Sequence, residues 1–127
     1  MQELASVKLI IRNSQFFAHL YKLEKSDEVI EIIKSHRRSY KKAKHHCYAL
    51  YISAIPNSQI TESFRDDREV GHPGKVLLEI LKKNNLNQHI LVVSRIFGGI
   101  KLGIGGVSRA FRDAGEGVVE HYIASHT

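Results

Sequence analysis

Three stretches and one thiol hold the side chains of this chain that could do chemistry. Gly98, Gly99, Gly103, Gly105 and Gly106 crowd into residues 98–106, flanked by Arg95, Lys101 and Arg109. Glycine admits positive φ, so successive N–H groups can converge, and a helix starting after such a loop adds the positive end of its dipole. That combination suits an anion. It equally suits a tight strand-to-helix connection with packing glycines, and it matches no nucleotide signature. G-x-G-x-x-G from Gly103 meets Ser108 where glycine is needed, and no Gly-Lys closes a Walker loop.

The second stretch, Arg65 to His72, holds Asp66, Asp67 and Glu69. Hard carboxylate oxygens suit a divalent cation or acid–base work. Arg65 and Arg68 are interleaved with them, which favours an ion-pair network over catalysis. The third stretch, KSHRRSYKKAKHH at 34–46, carries six Lys or Arg and three His. Lys41, Lys42 and Lys44 are suited to neutralising phosphates, with Tyr40 available for stacking, and a solvated helix end is the plainer alternative. His45, His46 and Cys47 do not make a zinc site, because neighbours on a strand point to opposite faces and no second cysteine exists. Cys47 opens an apolar strand and reads as a small buried residue rather than a nucleophile. No catalytic residue, metal or cofactor is expected.

Seven elements must position these groups. Residues 5–12 and 16–23 read as strands joined at Asn13-Ser14, an opening hairpin. Ser26, Asp27 and Glu28 start a helix to about residue 39, with Val29, Ile30 and Ile33 as its apolar stripe and His36, Arg37 and Arg38 at its negative end. Residues 47–55 are a strand stopped by Pro56, and 56–74 follow neither period. Residues 75–83 form a helix with Leu77, Ile80 and Leu81 inward. Residues 89–97 are an almost unbroken apolar run, the mark of a strand covered on both faces. After the glycines, a helix from near Val107 buries Val107, Ala110, Phe111, Ala114, Val118 and Tyr122. Gly115 and Gly117 within it predict a close approach to the sheet. The order β-β-α-β-α-β-α makes an α+β protein, a two-layer sandwich of sheet and helices.

Length and composition bound the rest. With 127 residues, 43% apolar and a net charge of +6, the chain is one domain, residues 1–127, too small for two cores and too apolar for disorder. The first residues have no basic segment followed by an apolar run, and no stretch reaches the roughly 20 apolar residues of a spanning helix. A cytoplasmic protein without membrane contact is expected, and its single cysteine fits a reducing compartment.

Three blocks, in order, resemble the IMPACT (YigZ-like) family. His45-His46-Cys47-Tyr48-Ala49 is similar to the family's H-N-C-Y-A. Asp66-Asp67-Arg68-Glu69, leading to Gly71 and Gly74, is similar to D-D-G-E-P-S-G-T-A-G. The most specific block runs from Arg95-Ile96-Phe97-Gly98-Gly99-Ile100-Lys101-Leu102-Gly103 through Ala110-Phe111, against R-Y-F-G-G-I-K-L-G-T-G-G-L-x-R-A-Y. Here His46 stands for Asn, Arg68 for Gly and Val70 for Pro, and the loop after Glu69 is one residue shorter. The resemblance spans roughly residues 7 to 123. It implies a fold like the second domain of ribosomal protein S-five, with a left-handed β-α-β crossover. Longer relatives add a ferredoxin-like or an RWD domain, for which 127 residues leave no room. Eukaryotic members regulate translation mainly through that RWD domain.

The expectation is a non-catalytic domain that binds RNA or the ribosome, in translation or stress response. Arg95, Lys101 and Arg109 would contact phosphate, Lys41, Lys42 and Lys44 would widen the basic face, and Asp66, Asp67 and Glu69 would order the glycine loop by pairing with these cations. Two alternatives stand beside it: a phosphate- or nucleotide-binding enzyme using the carboxylates with Mg²⁺, and a module docking a translation-related protein.

Overall fold

The computed structural model of the chain describes residues 1–25, 27–52 and 73–126. Strand β1 (Gln2–Ile11) turns through Arg12 and Asn13, both at positive φ, into the antiparallel β2 (Ser14–Lys22). Helix α1 (Glu28–Ser39) follows, then β3 (His45–Tyr51), α2 (Pro73–Lys83), β4 (His89–Ile96) and the long α3 (Gly103–Ser125). The sheet order is β1-β2-β4-β3, every neighbouring pair antiparallel. β2 and β3, both antiparallel to β4, therefore run parallel to each other, and α1 carries the chain across β4 between them. The α+β class and the element order are those the sequence implies. Among the described residues no helix is long and apolar enough to cross a membrane.

Period-2 alternation sorts the sheet's side chains between two cores. On one face Phe16, Ala18, Leu20, Cys47, Ala49, Leu91 and Val93 pack against Leu77, Ile80 and Leu81 of α2 and Val107, Ala110, Phe111, Ala114 and Val118 of α3. On the other, Leu50, Ile90 and Val92 pack against Val29, Ile32 and Ile33 of α1. α2 and α3 are thus the helical layer of the expected sandwich, and α1 covers the reverse face. The unbroken apolar run of β4, buried from His89 to Arg95, is the consequence.

Several local expectations change. The inward residue of α1 is Ile32, while Ile30 is 62% exposed, because a 3.6-residue period carries the buried stripe through 29, 32, 33 and 36. His36 belongs to that stripe and is buried, not a solvated cation at the helix end. Ser26, the expected cap, lies outside the described residues, and Asp27 at the N-cap makes no side-chain cap bond. Instead the Glu28 carboxylate accepts the backbone N–H groups of Glu24 and Lys25. α2 begins at Pro73, a residue suited to a first helical turn. α3 begins at Gly103 rather than near Val107, so Gly103, Gly105 and Gly106 are its first turn and the connection from β4 is short. Gly115 lets α3 approach its neighbours: a Cβ there would lie 2.9 Å from Leu77 and 3.0 Å from Ile80 of α2, and 3.3 Å from Leu91 of β4. Gly117 has no such reason, since the nearest atom to its Cβ position, on Val7, is 3.9 Å away.

Candidate functional site: a basic cavity beside a buried histidine network

Two consecutive rungs of the sheet carry the buried Arg95, Ser94 and His46. On the first, Phe16 of β2, Arg95 of β4 and His45 of β3 stand side by side. On the next, Phe17, Ser94 and His46 do the same. Alternation sends the first rung to the α2/α3 face and the second to the α1 face. His45 and His46, adjacent in sequence, therefore serve different environments, as the strand argument against a zinc site requires.

The first rung opens at its end into a cavity of about 330 Å³, lined by Lys42, Lys44, His45, Arg95, Phe97 and Lys101. Arg95 is 1% exposed. Its guanidinium carbon lies 5.7 Å from the centre of the Phe16 ring and 5.6 Å from that of Phe97, so the cation sits between two aromatic groups. Phe97 is 50% exposed. The residue after it is pinned: the Gly98 N–H donates to Ser14 Oγ at 3.1 Å, and a Cβ on Gly98 would fall 2.1 Å from the carbonyl carbon of Asn13. Only glycine allows this approach. The strand-to-helix connection is thereby fastened to the β1–β2 turn, and Phe97 is held from both sides.

The second rung is closed. Ser94 Oγ lies 2.8 Å from His36 Nδ1 and 2.7 Å from His46 Nδ1, and Tyr21 OH lies 2.8 Å from His36 Nε2. With neutral imidazoles, protons can run from Tyr21 through His36 and Ser94 to His46, or in the opposite order, and every bond is kept either way. Burial, reinforced by the nearby His19 and His46, pushes the His36 pKa down to about 3. Burial raises the Tyr21 pKa as well. At the rim, His19 Nε2 lies 2.6 Å from Tyr40 OH, and its Nδ1 pairs with Glu3 Oε1 at 2.5 Å. Tyr40 also stacks on Phe17, with centroids 4.3 Å apart and planes 23° apart. This ring is therefore engaged within the protein.

Of the residues singled out in the sequence, Lys42, Lys44, His45, Arg95 and Lys101 come together around one cavity. Lys41 is exposed and not among its lining residues. Arg109 lines a different cavity, of about 370 Å³, with Arg12, Gly106 and Asp113. Cys47 is buried in the α2/α3 core, as expected. Of the five glycines only Gly99 and Gly103 take positive φ. The first turn of α3 carries no acidic residue, and Leu102 supplies no side-chain cap. Asp66, Asp67 and Glu69 lie outside the described residues. Sequence reasoning missed Phe97, which had been absorbed into the strand, and the whole His36–Ser94–His46 network. An aromatic residue immediately before a glycine pair was the available signal for Phe97. The network had none, since its members are scattered across four elements.

Comparison with known proteins places these observations in context. The Impact N-terminal domain family model matches residues 12–119. The IMPACT family member YvyE of Bacillus subtilis is 35% identical over 111 residues, 87% of this chain and 50% of the relative. The IMPACT family member YigZ of Escherichia coli is 31% identical over 80% of this chain and 50% of its own length. The Protein IMPACT homolog of Dictyostelium discoideum is 36% identical over 72% of this chain. The chain thus spans about half the length of the bacterial relatives. Among solved structures, a crystal structure of a hypothetical protein superposes with a TM-score of 0.79 at 26% identity, covering 94% of this chain and 61% of the other. The two-domain translational regulator Yih1 shares the fold, with a TM-score of 0.57 at 21% identity over 88% of this chain and 45% of its own.

Proposed function

This chain belongs to the IMPACT family, and on that premise we propose that its domain is a non-catalytic, RNA- or ribosome-associated module acting in translation or stress response. The observation that carries the proposal is the gathering of Lys42, Lys44, His45, Arg95 and Lys101 from two separate stretches around one cavity. Lys42, Lys44, Arg95 and Lys101 are cations that repel one another, so their convergence costs free energy that an anionic partner offsets. A phosphodiester backbone is such a partner: lysine ammonium groups displace condensed counterions, and the released ions drive association. The name of the Yih1 relative and the family's link to translation support the biological setting.

The test is a salt titration of RNA binding by fluorescence anisotropy, with the intact chain and the Lys42→Ala/Lys101→Ala variant. Each removed phosphate contact lowers the log–log salt slope by about 0.7 for a single strand. The double variant is expected to lose about 1.4 from the slope and roughly tenfold in affinity at low salt. Absence of RNA binding at about 50 mM salt overturns the proposal.

A further inference from the structure

We propose that the basic cavity takes one unpaired nucleotide, its base lying on Phe97 and its phosphate among Lys42, Lys44 and Lys101; the inference rests on the RNA-contact reading and names the form of RNA it selects. Three observations carry it. The cavity, about 330 Å³, stands at the small end of ligand pockets and is far too small for a helical segment. A duplex keeps its bases stacked inside and offers a flat or convex run of phosphates, whereas a single strand splays individual bases outward. A concave basic site therefore discriminates against the duplex on shape alone.

The second observation is the aromatic wall. Phe97 is half-exposed, and among the described residues it is the one large apolar ring in a lining otherwise made of lysines, Arg95 and His45. Every base has a π face, and stacking on an aromatic side chain is tolerant of sequence. The third is rigidity. Arg95 lies against the Phe97 ring, and the Gly98 N–H is tied to Ser14, so the ring is presented without a loop having to order on binding. Pre-organisation of this kind raises affinity by removing an ordering cost. Ile100 and Ile104, 43% and 65% exposed, continue the apolar surface along the connection and the first turn of α3, where a neighbouring base could rest.

The experiment compares a short labelled single-stranded RNA, a blunt duplex of the same sequence and a polyglutamate peptide, each titrated against the intact chain, Phe97→Leu, Phe97→Tyr and Lys42→Ala/Lys101→Ala. The single strand is expected to bind about tenfold tighter than the duplex. Phe97→Leu, which keeps apolar bulk but removes the ring, should abolish most of that preference while leaving duplex binding within about twofold. Phe97→Tyr, which restores a ring, should restore the preference and shows that the leucine effect is not a folding defect. Equal affinity for strand and duplex, with Phe97→Leu silent and the lysine pair still effective, overturns the nucleotide site and leaves the RNA reading standing. Polyglutamate binding as tightly as the single strand, or no binding of either RNA, overturns both.

Discussion

Ser94 and Arg95 are neighbours on one strand, yet they belong to opposite designs. Ser94 joins two buried histidines in one hydrogen-bonded network, and Arg95, itself buried against Phe16 and Phe97, lines a cavity shared with three lysines. The same residue classes, imidazoles, hydroxyls and cations, close a network one rung in and line a cavity one rung out. Polarity alone therefore does not locate function in this chain. What separates the two regions is that one is enclosed between the sheet and α1 and the other opens into a cavity.

Ser94→Val breaks the comparison most forcefully. The valine fills the space but leaves two buried imidazole nitrogens without their shared partner, and each such loss costs about 1–3 kcal/mol. A drop of about 3 kcal/mol in urea-determined stability is expected, with RNA affinity at a denaturant-free concentration changed less than about twofold. A large affinity loss in the folded variant would show that the two rungs act together.

Acid tests the network from the other side. His36 has a folded-state pKa of about 3, depressed below its unfolded value, so between those two values the unfolded chain binds the extra proton. The neutral imidazole's contribution to stability is complete above the unfolded pKa and is lost as pH falls from about 6.5 toward 3. The slope from this residue reaches at most about 1.4 kcal/mol per pH unit. His36→Gln is expected to be less stable at neutral pH and to show a flatter acid limb in denaturation curves recorded at successive pH values. An unchanged limb would mean that His36 is charged in the folded protein.

The smallest effect sharpens the boundary of the cavity. Arg109→Ala, on the neighbouring cavity with Arg12 and Asp113, should change RNA affinity by less than about twofold, against about threefold for Lys101→Ala. Equal effects in anisotropy titrations would extend the contact surface along α3.

Most of the fold was legible because hydrophobic period is a local signal. The apolar run at 89–97 announced a central strand, the opening hairpin stands with its turn one residue earlier than Asn13-Ser14, at Arg12-Asn13, and Leu77, Ile80 and Leu81 faced inward as spaced. Helix ends were less legible: glycine argues against a helix interior, yet Gly103, Gly105 and Gly106 sit in a first turn, where backbone freedom is cheap and no intrahelical N–H bonds are required. Ile30 and Ile32 exchanged roles because isoleucine alone does not fix the phase of a short stripe. The cavity was partly legible, since Arg95 and Lys101 flank one motif and Lys42 and Lys44 lie in one basic run. Their meeting was not, because it depends on the register that sets His45 beside Arg95. The histidine network depends on that register together with the docking of α1, and no short window of sequence contains either.

The strand order β1-β2-β4-β3 has a kinetic consequence. The opening hairpin has its partner at once, but β3 leaves the synthesising machinery with no strand to pair with, and β4, the last strand made, must slot between two strands already present. Until it does, the half-formed sheet exposes two unsatisfied edges and two uncovered apolar faces, a state open to aggregation. Insertion of β4 then completes the sheet and brings Ser94 and Arg95 to their rungs together, and α3, made after it, covers the face that α2 leaves open.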